Sequence, residues 1–336
     1  MSFRWGILAT GNIAKQFARD LQGWGEHRIE AVGSRSAESA AAFAREFGVP
    51  RAHGSYEALI VDPAIDAVYN STPNSLHHEW TIRALRAGKH VLCEKPLAMN
   101  EAEAEEMFDE AQRQGRLLVE AFMYRSHPMT LAVLEQVRAG AIGNVRLIRT
   151  SFCFRIGKPA GNVRLDRALG GGALMDVGCY CVNFARLFAG AEPTALHATA
   201  RMHESGVDEI TTGTLAFGPN VLASFSVGMA VHADNAAYIC GDEGYVQVPV
   251  PWKPPVHGAA YVLRRSAPPK QDNPKVAAAP PEQRFEVDSP GPLYAVEAED
   301  FRAAVMEGKP PRLTREDSVG NMRVLDGLRA AIGLVF

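Results

Sequence analysis

A lysine follows an apolar segment that has the composition of a buried strand. His90-Val91-Leu92-Cys93 is followed at once by Glu94-Lys95-Pro96. Open α/β sheets bind their ligands beyond the carboxyl ends of their strands. The segment therefore predicts that the ammonium group of Lys95 lies at a ligand-binding sheet edge, where it can orient a polar ligand or stabilise a nearby negative charge.

A short loop near the N-terminus has the residue types of a dinucleotide site. Ala9-Thr10-Gly11-Asn12-Ile13-Ala14 is a degenerate G-x-G-x-x-G/A fingerprint, with alanine in place of the first glycine. Gly11 lacks a side chain at the point where backbone must approach a pyrophosphate at a helix N-terminus. The loop predicts a nicotinamide cofactor; a tight turn without a ligand is the alternative.

The second predicted strand ends without the acidic residue that NAD-binding folds use to bind the ribose 2′-hydroxyl. Ser34-Arg35-Ser36 occupies this place. Two hydroxyls can donate to a 2′-phosphate and a guanidinium can pair with it. We therefore expect NADP(H). The alternative is that Arg35 is only a solvated loop residue.

Length and composition indicate how many domains must position these residues and which partners are excluded. The chain has 336 residues, of which 47% are hydrophobic and 22% charged, and its formal net charge is −3. Two domains are expected at this length, and nothing favours nucleic acid or membrane partners. Without a signal peptide or membrane span we expect a cytoplasmic protein. The five cysteines are scattered, so we expect neither disulfides nor a metal site.

Residues 1–124 alternate apolar runs with amphipathic stretches, as in βαβ units. This pattern predicts an α/β domain with a doubly wound parallel Rossmann sheet. The predicted strands are Trp5–Ala9, Ile29–Gly33, Ala67–Ser71, His90–Cys93 and Leu117–Ala121.

Residues 125–336 predict an α+β domain built on a large, mostly antiparallel sheet with one open face. A helix, Met129–Ala139, precedes β-rich runs. Residues 249–283 are proline-rich and predict an irregular loop, and residues 293–336 predict two closing helices. An open sheet face needs cover, so we expect a homodimer or higher homo-oligomer.

Four segments resemble one known family: the loop at Gly11, Ser71-Thr72-Pro73-Asn74-Ser75-Leu76-His77, Glu94-Lys95-Pro96, and Gly170 to Tyr180. Over essentially its whole length the chain is similar to the glucose-fructose oxidoreductase, inositol dehydrogenase and rhizopine-catabolism protein (Gfo/Idh/MocA) family. Tyr180 and the run Glu120–Arg125 look most like the branch of dimeric dihydrodiol dehydrogenases and NADP-dependent xylose dehydrogenases. The resemblance implies an oxidoreductase that transfers a hydride between NADP and a secondary alcohol, hemiacetal or carbonyl of a sugar, polyol or trans-dihydrodiol.

The resemblance implies that Tyr180 is the acid/base and Lys95 its electrostatic partner. A phenol with a pKa of about 10 is a weak base at neutral pH, and a nearby ammonium lowers that pKa. Asp176 lies four residues before Tyr180, so both face the same side of a helix. Asp176 then binds substrate hydroxyls or Lys95, or else compensates the helix dipole.

The resemblance also implies further ligand-binding residues. Cofactor contacts are expected from Ser71, Thr72, Pro73, Asn74, His77, Glu94 and Lys95, with Pro96 as a candidate cis peptide. Substrate contacts are expected from Lys95, Tyr124, Arg125, Arg155, Arg164, Asp176 and Tyr180, although each arginine is equally well explained by a surface ion pair.

Two other functions remain open. One is a tethered-cofactor oxidoreductase or redox-assisted glycosidase of the same family; no extension before Phe3 wraps the nucleotide, which favours a freely exchanging cofactor. The other is a non-catalytic NADP(H)-binding regulator. The joint presence of Lys95 and Tyr180 argues against a regulator.

Overall fold

The computed structural model describes residues 2–266 and 280–334. Its first sheet has six strands: β1 (Phe3–Leu8), β2 (His27–Gly33), β3 (Arg51–His53), β4 (Ala67–Asn70), β5 (His90–Glu94) and β6 (Leu118–Ala121). All strand pairs are parallel, and the strand order is β3-β2-β1-β4-β5-β6. The helices between them are α1 (Asn12–Leu21), α2 (Ala37–Phe47), α3 (Tyr56–Ile60), α4 (His77–Arg86) and α5 (Glu101–Gln114). The predicted doubly wound sheet is confirmed.

The strand order reverses between β1 and β4, and this switch point determines where ligands can bind. The loops after β1 and β4 both leave the sheet at this carboxyl edge, and the loop after β5 leaves beside them. The predicted cofactor loop and Lys95 therefore lie on the same edge.

Aromatic side chains form much of the core beneath this sheet. Phe17 stacks on Tyr69 with ring centroids 3.8 Å apart, and Trp5 contacts Phe17 edge-on at 5.3 Å. Phe301, from a helix near the C-terminus, packs on Trp5 at 5.3 Å. The end of the chain therefore returns to the first sheet.

The second sheet has eight strands: β7 (Val145–Cys153), β8 (Ala195–Met202), β9 (Asp208–Phe217), β10 (Val221–Gly228), β11 (Ala237–Gly241), β12 (Gly244–Val248), β13 (Ala259–Arg265) and β14 (Gln283–Val287). Their order is β14-β13-β12-β11-β7-β10-β9-β8, and all pairs are antiparallel except β7 with β10. The helices are α6 (Pro128–Arg138), α7 (Cys179–Ala189), α8 (Leu293–Glu307) and α9 (Arg315–Ala331). The predicted α+β class is confirmed.

Two local expectations differ from the structure. The sequence did not predict β3, because its three residues show no apolar alternation. The proline-rich stretch is not wholly irregular, since it contains β13 and buries Trp252. The rest of that expectation, at residues 267–279, lies outside the described residues.

The sequence indicates helix N-caps at Asn100, with Glu103 three residues later, and at Thr314, and the structure has both caps. Asn100 accepts a hydrogen bond from the Glu103 backbone at 2.9 Å, and Thr314 accepts one from the Asp317 backbone at 3.3 Å.

The domain boundary after residue 124 stays a prediction. Helix α8 packs on α1 and on the residues that follow β6. None of the helices among the described residues is long and apolar enough to cross a membrane; the compartment of the protein stays a prediction.

Candidate active site

Lys95 occupies the carboxyl edge of the first sheet, immediately after β5. Its Nζ donates to the backbone carbonyl of Asp176 at 2.7 Å and lies 3.4 Å from the Asp176 Oδ1. The Lys95–Pro96 peptide is cis, as expected. The two charged side chains are only 14% and 15% exposed, so the pair is largely shielded from water.

A second cation completes this charged group. Arg164 Nε donates to the other carboxylate oxygen of Asp176 at 2.6 Å. Burial favours the neutral form of Asp176, but Lys95 and Arg164 outweigh burial and lower its pKa. Burial likewise opposes the charge of Lys95, yet Asp176 raises its pKa above the usual value. The site therefore holds a buried ammonium, a carboxylate and a guanidinium in direct contact.

The segment that carries Asp176 and Tyr180 is helical, as the sequence predicts, but it is not a regular α-helix. Residues Leu174–Gly178 form a π-helical turn, and α7 begins at Cys179. Asp208 accepts the backbone N–H of Leu174 at 2.8 Å and so fixes the start of this turn. Single π-helical turns occur frequently at functional sites.

Tyr180 is buried among aromatic rings. Its hydroxyl donates to the sulfur of Met123 at 3.3 Å, and the rings of Phe122, Phe152 and Trp252 lie 5.1, 5.4 and 5.9 Å from its own. Lys95 Nζ stands 5.1 Å from the ring centroid rather than beside the hydroxyl. The rings of Phe122, Phe152 and Trp252 thus form an aromatic wall around the phenol of Tyr180.

The expected lowering of the Tyr180 pKa is not found. Burial, followed by the nearby acidic groups Tyr294 and Glu94, raises the pKa of Tyr180 well above its usual value. Lys95 directs its ammonium to Asp176 and lies over the face of the ring, where it makes a cation–π contact. In the protein alone, Tyr180 is therefore a neutral phenol and a proton donor.

The loop after β1 has the geometry of an anion site. Gly11 is exposed at the N-terminus of α1, and a β-carbon added there would meet nothing within 4 Å. The first turn of α1 contains no acidic residue. Ala9, at the start of the loop, adopts a positive φ of 75°. The open backbone of residues 9–13 faces outward, where helix N–H groups favour negative charge.

The loop after β2 is equally open. Arg35 is exposed and approaches the Tyr56 hydroxyl, where it contributes to the interactions that act on the pKa of that phenol. Ser36 caps α2 by accepting from the Ser39 backbone at 3.2 Å, and Ser34 accepts from the Ser36 backbone at 3.3 Å. No carboxylate ends β2.

The loop after β4 is held mainly by its own side chains. Ser71 Oγ donates to the Leu8 carbonyl at 2.6 Å, and Thr72 Oγ1 donates to Asn70 at 2.8 Å. Asn74 donates to the Gly170 carbonyl at 2.8 Å and so joins this loop to the glycine-rich segment. Pro73 lies between them and is partly exposed. These side chains chiefly position backbone.

The side chains of two expected cofactor contacts are hydrogen-bonded to protein groups. His77 is 1% exposed, and its ring nitrogens lie 2.9 and 2.8 Å from the carbonyl oxygens of Pro96 and Thr72. Glu94 is also buried; it accepts from the Tyr69 hydroxyl and from the Lys95 backbone. Neither side chain points into open space, because protein groups already use its polar atoms.

The side chains of two expected substrate contacts are likewise bonded to a protein group. Tyr124 donates to Asn183 Oδ1 at 2.6 Å, and Arg125 donates to the same oxygen at 3.1 Å. Tyr124 is fully buried and Arg125 is 8% exposed. Arg155 lies exposed beyond β7, where its backbone pairs with Ala230. Of the three predicted arginines, only Arg164 joins the charged group.

The glycines before the π-helical turn serve the packing of the protein itself. A β-carbon at Gly171 would collide with the Arg164 backbone, and one at Gly172 would collide with Asp208. Sequence reasoning also missed Met123, Phe152 and Trp252. Strand alternation in β7 could have indicated Phe152, whereas Trp252 lies in the stretch that was expected to be irregular.

Two family models match this chain. The first, described as an oxidoreductase family with an NAD-binding Rossmann fold, matches residues 3–122, and the second, the GFO/IDH/MocA C-terminal domain, matches residues 130–247. Together they cover more than half of the chain. The chain belongs to the Gfo/Idh/MocA family. It is therefore an oxidoreductase, and the resemblance inferred from its motifs is confirmed.

Characterised relatives in this family align over nearly the whole chain. D-xylose 1-dehydrogenase (NADP(+)) 2 of Haloferax volcanii is 35% identical, covering 96% of this chain and 95% of the relative. Trans-1,2-dihydrobenzene-1,2-diol dehydrogenase of Xenopus laevis is 33% identical, covering 100% of both chains. Both belong to the branch that the sequence suggested.

Solved structures of the family show the same fold. KijD10, a 3-ketoreductase from Actinomadura kijaniata in complex with NADP and TDP-benzene, superposes with a TM-score of 0.87 at 31% identity and covers 99% of this chain and 98% of its own. Aldose-aldose oxidoreductase from Caulobacter crescentus has a TM-score of 0.86 at 28% identity, with coverage of 98% and 97%.

The residues present fit the dinucleotide of a Gfo/Idh/MocA oxidoreductase. The space beside Gly11 is open, so the backbone at the start of α1 is accessible to a pyrophosphate. Lys95 follows β5 at the same sheet edge and contacts Asp176, so the dinucleotide loop and the charged group share this edge.

We expect Tyr124→Phe to lower the free energy of unfolding by about 1 kcal/mol, because Asn183 loses one buried hydrogen-bond donor. The substitution should leave kcat and KM for a sugar or diol within about twofold of the unmodified values, since this hydroxyl faces Asn183. Urea denaturation and steady-state kinetics measure the two effects. A large rise in KM would show that Tyr124 contacts substrate after all.

Proposed function

We propose that this chain is an NADP-dependent dehydrogenase or reductase that transfers a hydride between the nicotinamide and a secondary alcohol, hemiacetal or carbonyl of a sugar, polyol or trans-dihydrodiol. The observation that carries the proposal is the buried contact of Lys95 with Asp176 beside Tyr180, at the sheet edge that holds the dinucleotide loop. The activities and cofactor named for the xylose and dihydrodiol dehydrogenases and for KijD10 support it.

Lys95 has the donors needed to bind a substrate oxygen. An ammonium has three N–H groups, and two of them point to the Asp176 carbonyl and carboxylate. The third has no acceptor among the described residues and is available to a substrate hydroxyl or carbonyl. Because Asp176 and Arg164 fix the ammonium, substrate binding needs little reorganisation of charge.

Tyr180 moves the proton. Its hydroxyl is bonded only to a thioether among the described residues, and a thioether is a weak acceptor that a substrate oxygen readily replaces. In the reductive direction the neutral phenol donates its proton to the oxygen that becomes a hydroxyl. A bound nicotinamide would supply or accept the hydride, and positive charge beside Tyr180 would favour its phenolate in the reverse direction.

The aromatic wall suits the apolar face of a sugar ring or a diol. Phe152 and Trp252 stack with an interplanar angle of 5° and a centroid distance of 5.6 Å, and both contact Tyr180. C–H groups of a cyclic substrate pack on such rings while hydroxyls reach the polar side. Lys95, Asp176 and Arg164 supply that polar side.

We propose that the residues at the ends of β1, β2 and β4 hold the cofactor. The backbone of residues 9–13 would contact the pyrophosphate, and Ser34, Arg35 and Ser36 would contact the 2′-phosphate. The backbone that follows β4 at residues 71–74 would lie against the nicotinamide ribose.

A second candidate is an oxidoreductase that keeps its cofactor bound through successive turnovers. The similarity to a protein named as an aldose-aldose oxidoreductase, from Caulobacter crescentus, favours this possibility, because an enzyme that oxidises one aldose and reduces another has no need to exchange its cofactor between the two steps. The nicotinamide absorbance of the purified protein separates the two. A bound cofactor that survives dialysis and changes redox state with sugar alone supports the second candidate, whereas no redox change with any sugar or diol supports a non-catalytic regulator.

We expect Tyr180→Phe to lower kcat by about 10²–10⁴-fold, because it removes the proton-transfer group. The affinity for NADPH should be nearly unchanged, since Tyr180 contacts Met123 and aromatic rings rather than the loop at Gly11. Lys95→Met should lower kcat at least as much. Steady-state kinetics with D-xylose and with a trans-dihydrodiol, and fluorescence titration with NADPH, measure both quantities.

Tyr124→Phe is the matched control for this experiment, because it removes a hydroxyl from a neighbouring buried tyrosine. The ring centroids of Tyr124 and Tyr180 are 6.0 Å apart. If Tyr180→Phe retains a nearly normal kcat at saturating substrate, another group transfers the proton and the assignment of Tyr180 is wrong.

We expect a preference for NADPH over NADH of about tenfold to a hundredfold, because a charge-assisted phosphate contact is worth about 1.5–3 kcal/mol. Arg35→Ala should remove most of this preference by raising KM for NADPH. Arg45→Ala, which removes an exposed cation from α2 rather than from the loop after β2, is the control. Equal efficiency with NADH in the unmodified enzyme would contradict the assignment.

We also propose that the open face of the second sheet forms a homodimer. Leu222 is 58% exposed and pairs across the sheet with Leu147, which is 36% exposed. Arg149, on the same face, lies 5.2 Å over the ring of Tyr238. A pair of exposed leucines on an uncovered sheet face fits an interface with a second copy of this chain.

Light scattering at micromolar concentration should therefore give twice the monomer mass of 36.4 kDa. Leu222→Glu should shift the mass toward the monomer, because it places two like charges in the interface. Val61→Glu, at a residue of the first domain that is 67% exposed, should not. A monomer mass for the unmodified protein would overturn this proposal.

A further inference from the structure

Two buried side chains outside the catalytic group hold the backbone that follows Lys95. Glu120, in β6, accepts the backbone N–H of Leu97 on its Oε1 at 2.9 Å. His77, at the start of α4, contacts the carbonyl of Pro96 at 2.9 Å through Nδ1. We propose that Glu120 and His77 are positioning residues that clamp residues Lys95–Leu97 from two sides and so determine where the ammonium of Lys95 lies.

The chemistry of Glu120 argues for a specific role at this place. Its neighbours in β6 are Leu118, Val119 and Ala121, so an apolar side chain is the ordinary occupant of this strand. Glu120 is instead a carboxyl that is 1% exposed. Its Oε2 makes no hydrogen bond among the described residues, although the Ser318 hydroxyl is close enough to act on the pKa of Glu120. Burying a carboxyl with one unsatisfied oxygen is unfavourable. The contact with Leu97 is the interaction that accounts for its presence.

His77 holds the same segment from the other side. Its second ring nitrogen lies 2.8 Å from the Thr72 carbonyl, so the imidazole bridges the loops after β4 and β5. Burial lowers the pKa of His77 to about 4, so near neutral pH the ring has one N–H and donates it to one of the two carbonyls at a time. In either case the ring fills the space between the loops.

The position of Lys95 is sensitive to this clamp. Glu94 accepts the Lys95 backbone N–H at 3.2 Å, so the backbone is held immediately before and after the lysine. The ammonium must reach Asp176, which lies 81 residues further along the chain. A displacement of about 1 Å at a reacting group is enough to lower rates by about a hundredfold.

The inference rests on the proposed role of Lys95, but its test does not depend on activity. The apo protein is treated with limiting acetic anhydride, and peptide mass spectrometry gives the acetylation rate of each lysine. Glu120→Met removes the acceptor at similar volume, whereas Glu120→Gln keeps an amide oxygen for Leu97. Lys89, which is buried and bonded to the Asp62 and Ile65 carbonyls, reports global unfolding. Lys309, which is 65% exposed, reports reagent activity.

We expect Glu120→Met to raise the acetylation rate of Lys95 by at least about fivefold relative to Lys309, because the loosened loop exposes the amine more often. Glu120→Gln should retain the unmodified rate, and Lys89 should stay unchanged in both variants. An unchanged Lys95 rate in Glu120→Met, or a rise shared equally by Glu120→Gln or by Lys89, would overturn the clamp.

His77→Phe tests the other half of the clamp and replaces Glu120→Met if that variant does not fold. It should raise the Lys95 rate in the same way, and an unchanged rate would overturn the role of His77. Failure of the clamp is distinguishable from failure of the proposed function. If Lys95→Met keeps normal kcat, the catalytic role of Lys95 is wrong, while the acetylation rates still decide whether Glu120 and His77 position it.

Discussion

The contact between Lys95 and Asp176 is the interaction on which the arrangement of the site depends. The lysine follows a strand of the first sheet, and the aspartate lies in the π-helical turn that precedes α7. A charge that is largely removed from water is tolerated only when it is paired with an opposite charge. The two segments can therefore vary little in relative position without leaving an unpaired buried charge.

The same requirement explains why so many polar side chains at this edge are turned toward protein groups. Asn74 bonds the Gly170 carbonyl, Asp208 bonds the Leu174 backbone, and Glu120 bonds the Leu97 backbone. Each contact fixes backbone next to a ligand-facing position rather than facing a ligand itself. A site of this type separates residues that contact the substrate from residues that hold those residues in place.

The sequence predicted those features that depend on local pattern. Buried parallel strands read as continuous apolar runs, and the caps at Asn100 and Thr314 follow from residues three positions apart. The sequence alone could not distinguish residues expected to contact a ligand from residues that hold the backbone in place. Tyr124 and Arg125 share one acceptor, Asn183, which is 59 and 58 residues away, and no spacing rule reveals that pairing. The π-helical turn was also missed, because an i, i+4 spacing assumes a regular α-helix.

The raised pKa of Tyr180 is compatible with its proposed role once both directions of reaction are considered. Burial keeps the phenol protonated at neutral pH, so it is ready to act as an acid when a carbonyl is reduced. Oxidation of an alcohol uses the same group as a base and must first remove that proton. Positive charge close to the ring makes removal easier, and Lys95 already stands over the ring face. The aromatic rings that bury Tyr180 therefore keep the proposed acid protonated, and its proposed action as a base would require positive charge close to the phenol.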